Sequence, residues 1–381
     1  MSQIFGAIDT PSIDHVIPNW DIIKDRMKDP EKLKKAEVIY DEIISSLGKR
    51  NIPGSKFTLD EQTAGKCKGL LLELEKIFAG TDIKIQTAGG TGYRKLFYTK
   101  LILQEQAEAK LFGATGNDKE GDKLKNIIAK NNIELVDNGE SLLHTREALL
   151  ITPKNSKDRI GAKFPYTEAR FFHDEKKLLE YAKSCDCFYL ESSLIKFLGK
   201  ENFINFCRDL SANNVKIIFA PPTDRSFFID IKTGAPLTEN IAAFRAAAKY
   251  ASIITMNELE AIWFIGDINF YKKITGRNDP NLAKAVNAIK KLLKGYDNKM
   301  VLITVGEHGM IGITKDLIIE RDALKIEKII NTVGAGDSAA AAVTSVLCRC
   351  NDIFTKESAE KALQKACEIS SYVIQNQPAA N

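Results

Sequence analysis

An acidic side chain follows a glycine-rich turn near the end of the chain. Asp337 comes directly after Gly334-Ala335-Gly336 in the stretch NTVGAGDSAAAAV, residues 331–343, and small helix-forming residues follow it. A helix that begins on glycines leaves its first N–H groups without partners and exposes the positive end of its dipole, so it can bind phosphate or a developing negative charge. Asp337 is then either a helix-capping residue or a base held beside an anion site.

Two phosphate-binding motifs compete with that interpretation. A P-loop requires G-x-x-x-x-G-K-[ST], but the Gly-Lys pairs at 48, 65 and 199 are followed by Arg, Cys and Glu, which excludes it. Gly334, Gly336 and Ala339 satisfy the dinucleotide pattern G-x-G-x-x-A, between the strand-like KIEKII (325–330) and a helical segment. That motif needs a second strand with an acid about 20 residues later. Only helical sequence follows here, which argues against a Rossmann-type site.

Phosphoryl transfer to an alcohol is the third interpretation. The attacking hydroxyl must lose a proton, while N–H groups and a metal ion on the nucleotide stabilise the charge on the transferred group. A base directly after the anion-binding turn places the proton acceptor and the N–H groups that stabilise the transferred group beside one reacting atom. An ordinary aspartate in the first turn of a helix has the same local sequence. The turn alone therefore leaves both interpretations open.

The elements that must position this turn alternate along the chain. Short β-branched runs are mostly followed by longer amphipathic segments, which indicates a mostly parallel sheet between helices. The predicted strands are QIFGAI (3–8), AKLFGAT (109–115), CFYL (187–190), VKIIFA (215–220), ASIIT (251–255) and KMVLITV (299–305). Residues 306–330 predict hairpins near the edge of the sheet, and helices are predicted at 335–350 and 356–376.

Two further segments have patterns of their own. Residues 19–50 predict a pair of helices broken at Asp29-Pro30, because the residue before a proline is pushed out of the helical region. Residues 148–172 predict two strands around the turn PKNSKD, which together suit a small lid.

Composition excludes several classes of protein. The chain of 381 residues is 44% hydrophobic, which is enough to bury a large core. A formal charge of +4 over this length supplies little attraction for nucleic acid or membranes. The start has no basic region before an apolar core, and no run of about 18 apolar residues occurs, so the expected location is cytoplasmic. Seven cysteines and four histidines without a C-x-x-C pair argue against a Cys/His metal site.

The stretch NTVGAGDSAAAA resembles the C-terminal signature of the ribokinase family of sugar and nucleoside kinases, also called PfkB-type kinases. The resemblance implies that Asp337 is the catalytic base and that the N–H groups of Gly334, Ala335, Gly336 and Asp337 form the anion hole. It also implies ATP and Mg²⁺ as cofactors and a small nucleoside or sugar as the partner. Within the family, CFYLESS, IITMNELEA and ACEISSYVIQ look most similar to adenosine kinases and their bacterial sugar-kinase-like relatives.

Other stretches resemble family motifs in the same order along the chain. FGAIDTPSID places a substrate-binding aspartate at Asp14, and AGGTG places the di-glycine segment that closes on the substrate at Gly89 and Gly90. LFGATGNDKEGDKL resembles the family's third-strand turn, and TMNELEA places a pair near the magnesium ion at Asn257 and Glu260. The resemblance implies nucleotide contacts for Thr304, Gly306, Gly309, Asn331 and Thr332.

Each of these residues also has a structural interpretation. Asn257 and Glu260 have the spacing of a helix capping box. Asp14 suits a turn in which its side chain bonds the backbone, and Gly306 and Gly309 suit a tight hairpin. The joint order of the motifs favours function, because independent turns have no reason to recur in this sequence along one chain.

The chain departs from the family pattern at three places. Arg94 stands where the di-glycine motif usually continues to an asparagine, and it either meets an anionic substrate or pairs with a nearby acid. Asn331 replaces the more frequent aspartate of the signature, which keeps the shape and removes a charge. Ser192 and Ser193 stand where adenosine kinases place aromatic residues. Stacking of such residues on a purine is worth on the order of 1 kcal/mol.

We therefore predict a ribokinase-like three-layer α/β fold, with a mostly parallel central sheet between helices and a small β lid. The chain, 1–381, is expected to form a single kinase domain, with lid segments near 10–18, 82–90 and 148–165 and a helical insertion at 19–50. The predicted activity is ATP- and Mg²⁺-dependent phosphorylation of a primary hydroxyl on an adenosine-like nucleoside or a sugar. The alternative is a protein of this fold that binds a nucleotide or sugar with weak or no catalysis.

Overall fold

The computed structural model describes most of the chain, namely residues 2–48, 56–137, 144–154, 156, 159–165, 174–191, 194–221, 227–228, 237–267, 274–296, 299–349 and 355–376. Ser192, Ser193 and part of the predicted turn PKNSKD lie outside these ranges. Within them, no helix is both long and apolar enough to cross a lipid bilayer.

The strands and helices of these ranges follow one another along the chain. The strands are β1 (Gln3–Ile8), β2 (Ser12–Ile17), β3 (Lys56–Thr58), β4 (Gln86–Gly89), β5 (Ala107–Gly113), β6 (Ile133–Asp137), β7 (Arg146–Ile151), β8 (Ile160–Lys163), β9 (Cys187–Glu191), β10 (Lys216–Ala220), β11 (Ile253–Asn257), β12 (Met300–Thr304), β13 (Met310–Ile313) and β14 (Ile318–Arg321). The helices are α1 (Trp20–Arg26), α2 (Pro30–Ser46), α3 (Glu61–Phe78), α4 (Thr91–Leu103), α5 (Lys119–Lys130), α6 (Glu175–Lys183), α7 (Ile195–Ala212), α8 (Thr238–Ala248), α9 (Glu258–Phe264), α10 (Pro280–Leu293), α11 (Ala335–Leu347) and α12 (Lys356–Asn376).

The larger sheet has the strand order β14-β13-β12-β11-β10-β9-β1-β5-β6. Neighbouring strands from β12 to β6 are parallel, whereas β13 and β14 form antiparallel pairs at one edge. The central strands are apolar on both faces, as a parallel sheet covered by helices requires. In β10, for example, Ile217 and Phe219 enter one core and Ile218 enters the other. The six predicted strands and the edge hairpin are confirmed, while β6 was not predicted.

Helices cover both faces of this sheet and complete three layers. Side chains of α6 to α10 pack into one core, and those of α4, α5, α11 and α12 pack into the other. The predicted three-layer α/β fold is therefore confirmed. The last helix has the predicted bounds, and α11 ends at Leu347 rather than at 350.

A second, smaller sheet has the strand order β3-β8-β7-β2-β4. Four of its strands fall in the segments for which we predict the lid, and β3 is an additional strand. Side chains from α1, α2 and α3, such as Trp20, Tyr40 and Leu71, pack with Leu149 and Ile151 of β7 in a core of their own. The closing movement of this sheet stays a prediction.

The predicted helical pair is present in the described part of 19–50. Helix α1 ends at Arg26, and α2 begins at Pro30 after the N-cap Asp29, whose carboxylate accepts the N–H groups of Glu31 and Lys32. Proline suits this first helical position because its missing N–H would have no partner within the helix. The apolar faces of both helices cover the smaller sheet.

The strand predicted at KIEKII, residues 325–330, is wrong. These residues form no strand, and β14 is the outermost strand on their side of the sheet. The N–H of Ile330 donates instead to the carbonyl of Ile374 in α12 at 2.9 Å. The run has the local composition of a strand, but its last N–H pairs with a helix rather than with a strand, so tertiary packing overrides the local preference.

Candidate active site

Polar side chains stand at the carboxyl ends of four parallel strands of the larger sheet. Asp9 follows β1, Glu191 ends β9, Asn257 ends β11 and Thr304 ends β12. Asn257 and Thr304 are partners in the strand register. In open α/β sheets, ligands bind outside the carboxyl ends of the strands. This edge is therefore the candidate site.

Helix α11 begins at this site on a glycine. Gly334 is its N-cap and has a φ of +83°, in the left-handed region that favours glycine. No side chain of the described residues caps the helix. A Cβ at Gly334 would also overlap the hydroxyl of Tyr98 on α4. Backbone conformation and packing therefore both require glycine at this position.

The first amides of α11 have almost no protein acceptors. The N–H of Ala335 donates to the carbonyl of Thr332 at 3.3 Å, and in the described ranges no acceptor is found for the N–H groups of Gly334, Gly336 and Asp337. The space that a Cβ of Gly336 would occupy has no described atom within 4 Å. Free amides that face open space at the positive end of a helix can bind an anion. Three of the four residues predicted for the anion hole thus present N–H groups without a described acceptor, Ala335 is the exception, and the anion hole itself stays a prediction.

Asn331 shapes the turn before α11. Its side chain is buried, and its Oδ1 accepts a hydrogen bond from the N–H of Val333 at 2.7 Å. An amide oxygen accepts this bond as a carboxylate oxygen would, so Asn331 keeps the shape of the turn without a charge. The neighbouring Thr332 is exposed at the same turn.

Asp337 lies in the first turn of α11, and two cations of α4 act on it. Burial raises the pKa of Asp337 above its ordinary value, while the charges of Lys95 and Arg94 lower it. Glu191 acts in the same direction as burial. A base must be ionised before it can accept a proton, and the two cations favour that form. These surroundings suit a proton acceptor better than a plain helix cap.

Asp14 reaches the site from β2 of the smaller sheet. Its carboxylate accepts the hydroxyl of Ser12 at 2.7 Å and forms an ion pair with Arg94. A Cβ at Gly89, on the neighbouring strand β4, would overlap this carboxylate. Gly90 has a φ of +103°. The di-glycine segment therefore makes room for a carboxylate and turns the chain into α4.

Asp9 is a site residue that the sequence analysis missed. Its Oδ2 accepts the N–H groups of Gly92 and Tyr93, at 2.8 and 3.2 Å, at the start of α4. A Cβ at Gly90 would overlap the Asp9 carboxylate. Burial raises the pKa of Asp9 to about 6, although Arg146 and the two amides act against it. A buried carboxylate thus holds the helix that carries the two cations.

Lys95, which is buried, and Glu191, which is half-buried, form a second ion pair that was not predicted from the sequence. Burial favours the neutral form of Lys95, but the carboxylates of Glu191 and Asp337 raise its pKa. The sequence contained a signal, because Glu191 ends a buried strand and Lys95 follows the di-glycine closely. A single acid or lysine in such a place is too common to be selected without its partner.

Asn257 and Glu260 form the capping box of α9. The N–H of Glu260 donates to Oδ1 of Asn257, and the N–H of Asn257 donates to Oε2 of Glu260, each at 2.8 Å. The structural interpretation of this pair is thus realised, and their role near a metal stays a prediction. In the described ranges, no group of three or more His, Cys, Asp or Glu could hold a metal ion alone. Mg²⁺ is often held by one carboxylate together with waters and substrate phosphates, which fits Glu260 at this edge.

Gly306 and Gly309 belong to the tight turn between β12 and β13. The N–H of Val305 donates to the carbonyl of Gly309 at 2.8 Å, and a Cβ at Gly309 would overlap the carbonyl of Arg321. Both glycines have positive φ values, of +51° and +94°. This turn therefore needs its glycines for its own closure, and their contact with a nucleotide stays a prediction.

The sequence model of the pfkB family of carbohydrate kinases matches residues 86–381. No curated protein matches the sequence. Similar solved structures include the adenosine kinase of Schistosoma mansoni in complex with 2-fluoroadenosine, with 16% identity, a TM-score of 0.66, and coverage of 98% of this chain and 96% of that chain. The adenosine kinase of Anopheles gambiae, in complex with P1,P4-di(adenosine-5) tetraphosphate, has 15% identity, a TM-score of 0.66, and coverage of 99% and 97%.

A sugar kinase has a comparable likeness. The probable sugar kinase from Rhizobium etli has 13% identity and a TM-score of 0.64, with coverage of 98% of this chain and 94% of that chain. Identities this low show a shared fold alone. The family resemblance predicted from the motifs is confirmed by the family match.

Proposed function

Because the chain belongs to the pfkB family of carbohydrate kinases, we propose that it transfers the γ-phosphoryl group of ATP to a primary hydroxyl of a nucleoside or sugar. The observation that carries this proposal is the start of α11, where amides that have no acceptor among the described residues lie beside Asp337. An anion site next to a carboxylate is what transfer from a nucleotide to an alcohol requires.

In the proposed reaction, the acceptor hydroxyl gives its proton to the carboxylate of Asp337 as its oxygen attacks the γ-phosphorus. The bond between that phosphorus and the bridging oxygen of ADP breaks, and ADP leaves with the bonding electrons. The N–H groups of Gly334, Gly336 and Asp337 donate to the oxygens of the transferring group. Amides that are already oriented need no rearrangement when the charge develops.

The acceptor side is proposed to involve Asp14, Gly89 and Gly90, with closure of the smaller sheet over the cleft. Closure excludes water, which would otherwise accept the phosphoryl group and waste ATP. Strand β2 holds Asp14 and pairs with both β4 and β7. A movement of this sheet would therefore carry Asp14, the residue proposed to bind the acceptor, with it.

Magnesium would be held near Asn257 and Glu260 through water, where it would neutralise charge on the nucleotide phosphates. Glu260 lies at the start of α9, directly after β11. Thr304, Gly306, Gly309 and Thr332 are proposed to flank the nucleotide. We keep a cytoplasmic location and an adenosine-like acceptor as parts of this proposal.

A second candidate function is favoured by the ion pair between Arg94 and Asp14. Asp14 is the residue proposed to bind the hydroxyl groups of the acceptor, and a guanidinium paired with it could block this binding and prevent turnover. The protein would then bind a nucleotide or sugar with weak or no catalysis.

A turnover screen separates the two functions. The chain would be incubated with ATP, Mg²⁺ and a panel of nucleosides and sugars, with ADP release and the phosphorylated product both measured. The kinase proposal expects stoichiometric product and ADP for at least one acceptor. ATP binding without product across the panel would favour the binding protein.

A further inference from the structure

Arg94 contacts one of the two carboxylates that the proposed reaction needs at the acceptor, and its charge acts on the other. It forms an ion pair with Asp14, and the charges of Arg94 and Asp337 act on each other. The side chain of Arg94 is 11% exposed and that of Asp14 is 6% exposed, so water screens the pair weakly. Arg94 is therefore placed to influence which acceptors can enter.

A guanidinium changes what this position can bind. The asparagine usual in the family offers an oxygen acceptor and two N–H donors, whereas arginine offers five N–H donors, no acceptor and a permanent positive charge. Its planar fork matches the oxygens of a carboxylate or phosphate, which accept two parallel hydrogen bonds. Arg94 therefore favours an anionic group over a neutral hydroxyl.

The charges of the same two carboxylates, Asp337 and Asp14, also act on a second arginine, Arg159, beside the smaller sheet. Arg159 directly precedes β8 and makes no ion pair in the part of the chain that the structure describes. Burial lowers the pKa of Arg159, and the positive charge of Arg94 lowers it further. The two guanidinium groups repel each other, but Asp337 and Asp14 raise the pKa of Arg159 and so act against this repulsion. An oxyanion bound beside the two guanidinium groups would offset it further.

Resting on the proposed kinase function, we propose that the acceptor carries a phosphate or carboxylate group in addition to the hydroxyl that is phosphorylated, and that Arg94 binds this group. Arg94 exchanges Asp14 for the incoming oxyanion, which releases the Asp14 carboxylate for hydroxyl groups of the acceptor. The transfer step is unchanged, with the proton going to Asp337 and ADP leaving.

Matched pairs of acceptors test this inference. Adenosine 3′-phosphate is compared with adenosine, glucose 1-phosphate with methyl glucoside, and galactonate with galactitol; each compound keeps a free primary hydroxyl. We expect at least one anionic member to have a kcat/KM about tenfold or more above that of its neutral partner, the scale of a hydrogen bond to a charged group.

Variants of Arg94 locate the source of that preference. Arg94→Asn, which restores the usual family residue, should lower the anionic-to-neutral ratio of kcat/KM by about 10- to 100-fold, and Arg94→Lys should retain part of it. The control variant is Arg26→Asn, which removes an arginine of α1 that pairs with Asp82. It should leave the ratio unchanged. Circular dichroism and the thermal midpoint confirm that each variant is folded.

The outcomes are distinct. Preference for neutral acceptors in the wild type, or an unchanged ratio in Arg94→Asn, would overturn the inference while the kinase function stands. If Arg94→Asn raises KM for ATP and leaves the ratio unchanged, Arg94 binds an oxyanion of the nucleotide instead, and the inference is also overturned. If nothing is phosphorylated but the anionic compounds raise the thermal midpoint only when Arg94 is present, the ligand class stands and the kinase function fails. If no compound is phosphorylated or shifts the midpoint, both fail.

Discussion

The two halves of the candidate site are built from different parts of the polypeptide. At the start of α11 the proposed binding groups are backbone amides, and the φ of +83° and the neighbouring Tyr98 both require glycine at position 334. On β2 and α4 the proposed binding groups are charged side chains, held in ion pairs such as Arg94 with Asp14. A site made of backbone amides depends on the conformation of the chain, which few residue types can adopt. A site made of side chains can change the ligand that it binds with one substitution.

This difference separates the effects of two departures of the chain from its family. Asn331, in the backbone half, still accepts the N–H of Val333 and so keeps the turn. Arg94, in the side-chain half, puts a positive charge where the family usually has a neutral amide. It pairs with Asp14, the residue proposed to bind the acceptor. We therefore expect the backbone half to bind a nucleotide as in other family members. The ligand of the side-chain half is expected to be particular to this protein.

The largest effect is expected where the two halves meet, at Asp337. Asp337→Asn removes the proposed proton acceptor and should lower kcat by about 10²- to 10⁴-fold, with an unchanged thermal midpoint. Asp122→Asn is a matched control, because Asp122 is also an acid in the first turn of a helix, α5. Steady-state kinetics with ATP and a productive acceptor measure both variants. Equal turnover of wild type and Asp337→Asn would refute the assigned base.

The next effect tests the side-chain half through Asp9. Its pKa in the folded protein, about 6, exceeds the ordinary 3.8, so protonated Asp9 stabilises the fold below pH about 4 and that contribution is lost as the pH rises through 6. The difference corresponds to at most about 3 kcal/mol. Asp9→Asn removes this dependence.

Urea unfolding at pH 4.5 and pH 7.5 measures the effect. The free energy of unfolding of the wild type, relative to Asp9→Asn, should fall between the two pH values. A relative stability that is independent of pH, or that rises, would show that Asp9 is not a carboxylate with a raised pKa.

A smaller effect tests the backbone half through Gly334. Gly334→Ala places a Cβ in the left-handed region and against the hydroxyl of Tyr98, and it should lower the free energy of unfolding by about 1–3 kcal/mol. Adding Tyr98→Phe removes the overlapping hydroxyl and should recover part of this loss. Denaturant unfolding of the single and double variants measures both. Full stability of Gly334→Ala would contradict the described turn.

The smallest effect on stability is expected two residues later. Gly336→Ala adds a methyl group where no described atom lies within 4 Å, in a helical position where alanine is preferred by up to about 1 kcal/mol. The thermal midpoint should stay the same or rise slightly, while the methyl group intrudes on the proposed anion site and raises KM for ATP. An unchanged KM would place the nucleotide phosphates elsewhere.

Local features of the sequence were sufficient for much of the fold and for half of the site. Six strands of the larger sheet and the two C-terminal helices were predicted because hydrophobic period and β-branched content act over a few neighbouring residues. The glycine turn before α11 was predicted for the same reason, since glycine conformation and the amides of a helix start are local properties. The failure at 325–330 has a tertiary cause, because the N–H of Ile330 donates to a carbonyl of α12 rather than to a strand.

The sequence by itself thus determined the layered α/β fold, the family and the residues of the α11 turn. Only the tertiary structure decided that Arg94 pairs with Asp14, and that Asp9 and the Lys95–Glu191 pair belong to the site. Asp9, Lys95 and Glu191 come from three distant segments that the strand order β9-β1-β5 and helix α4 bring together. Electrostatic interactions act through space rather than along the chain, so their partners become visible only when the chain is folded.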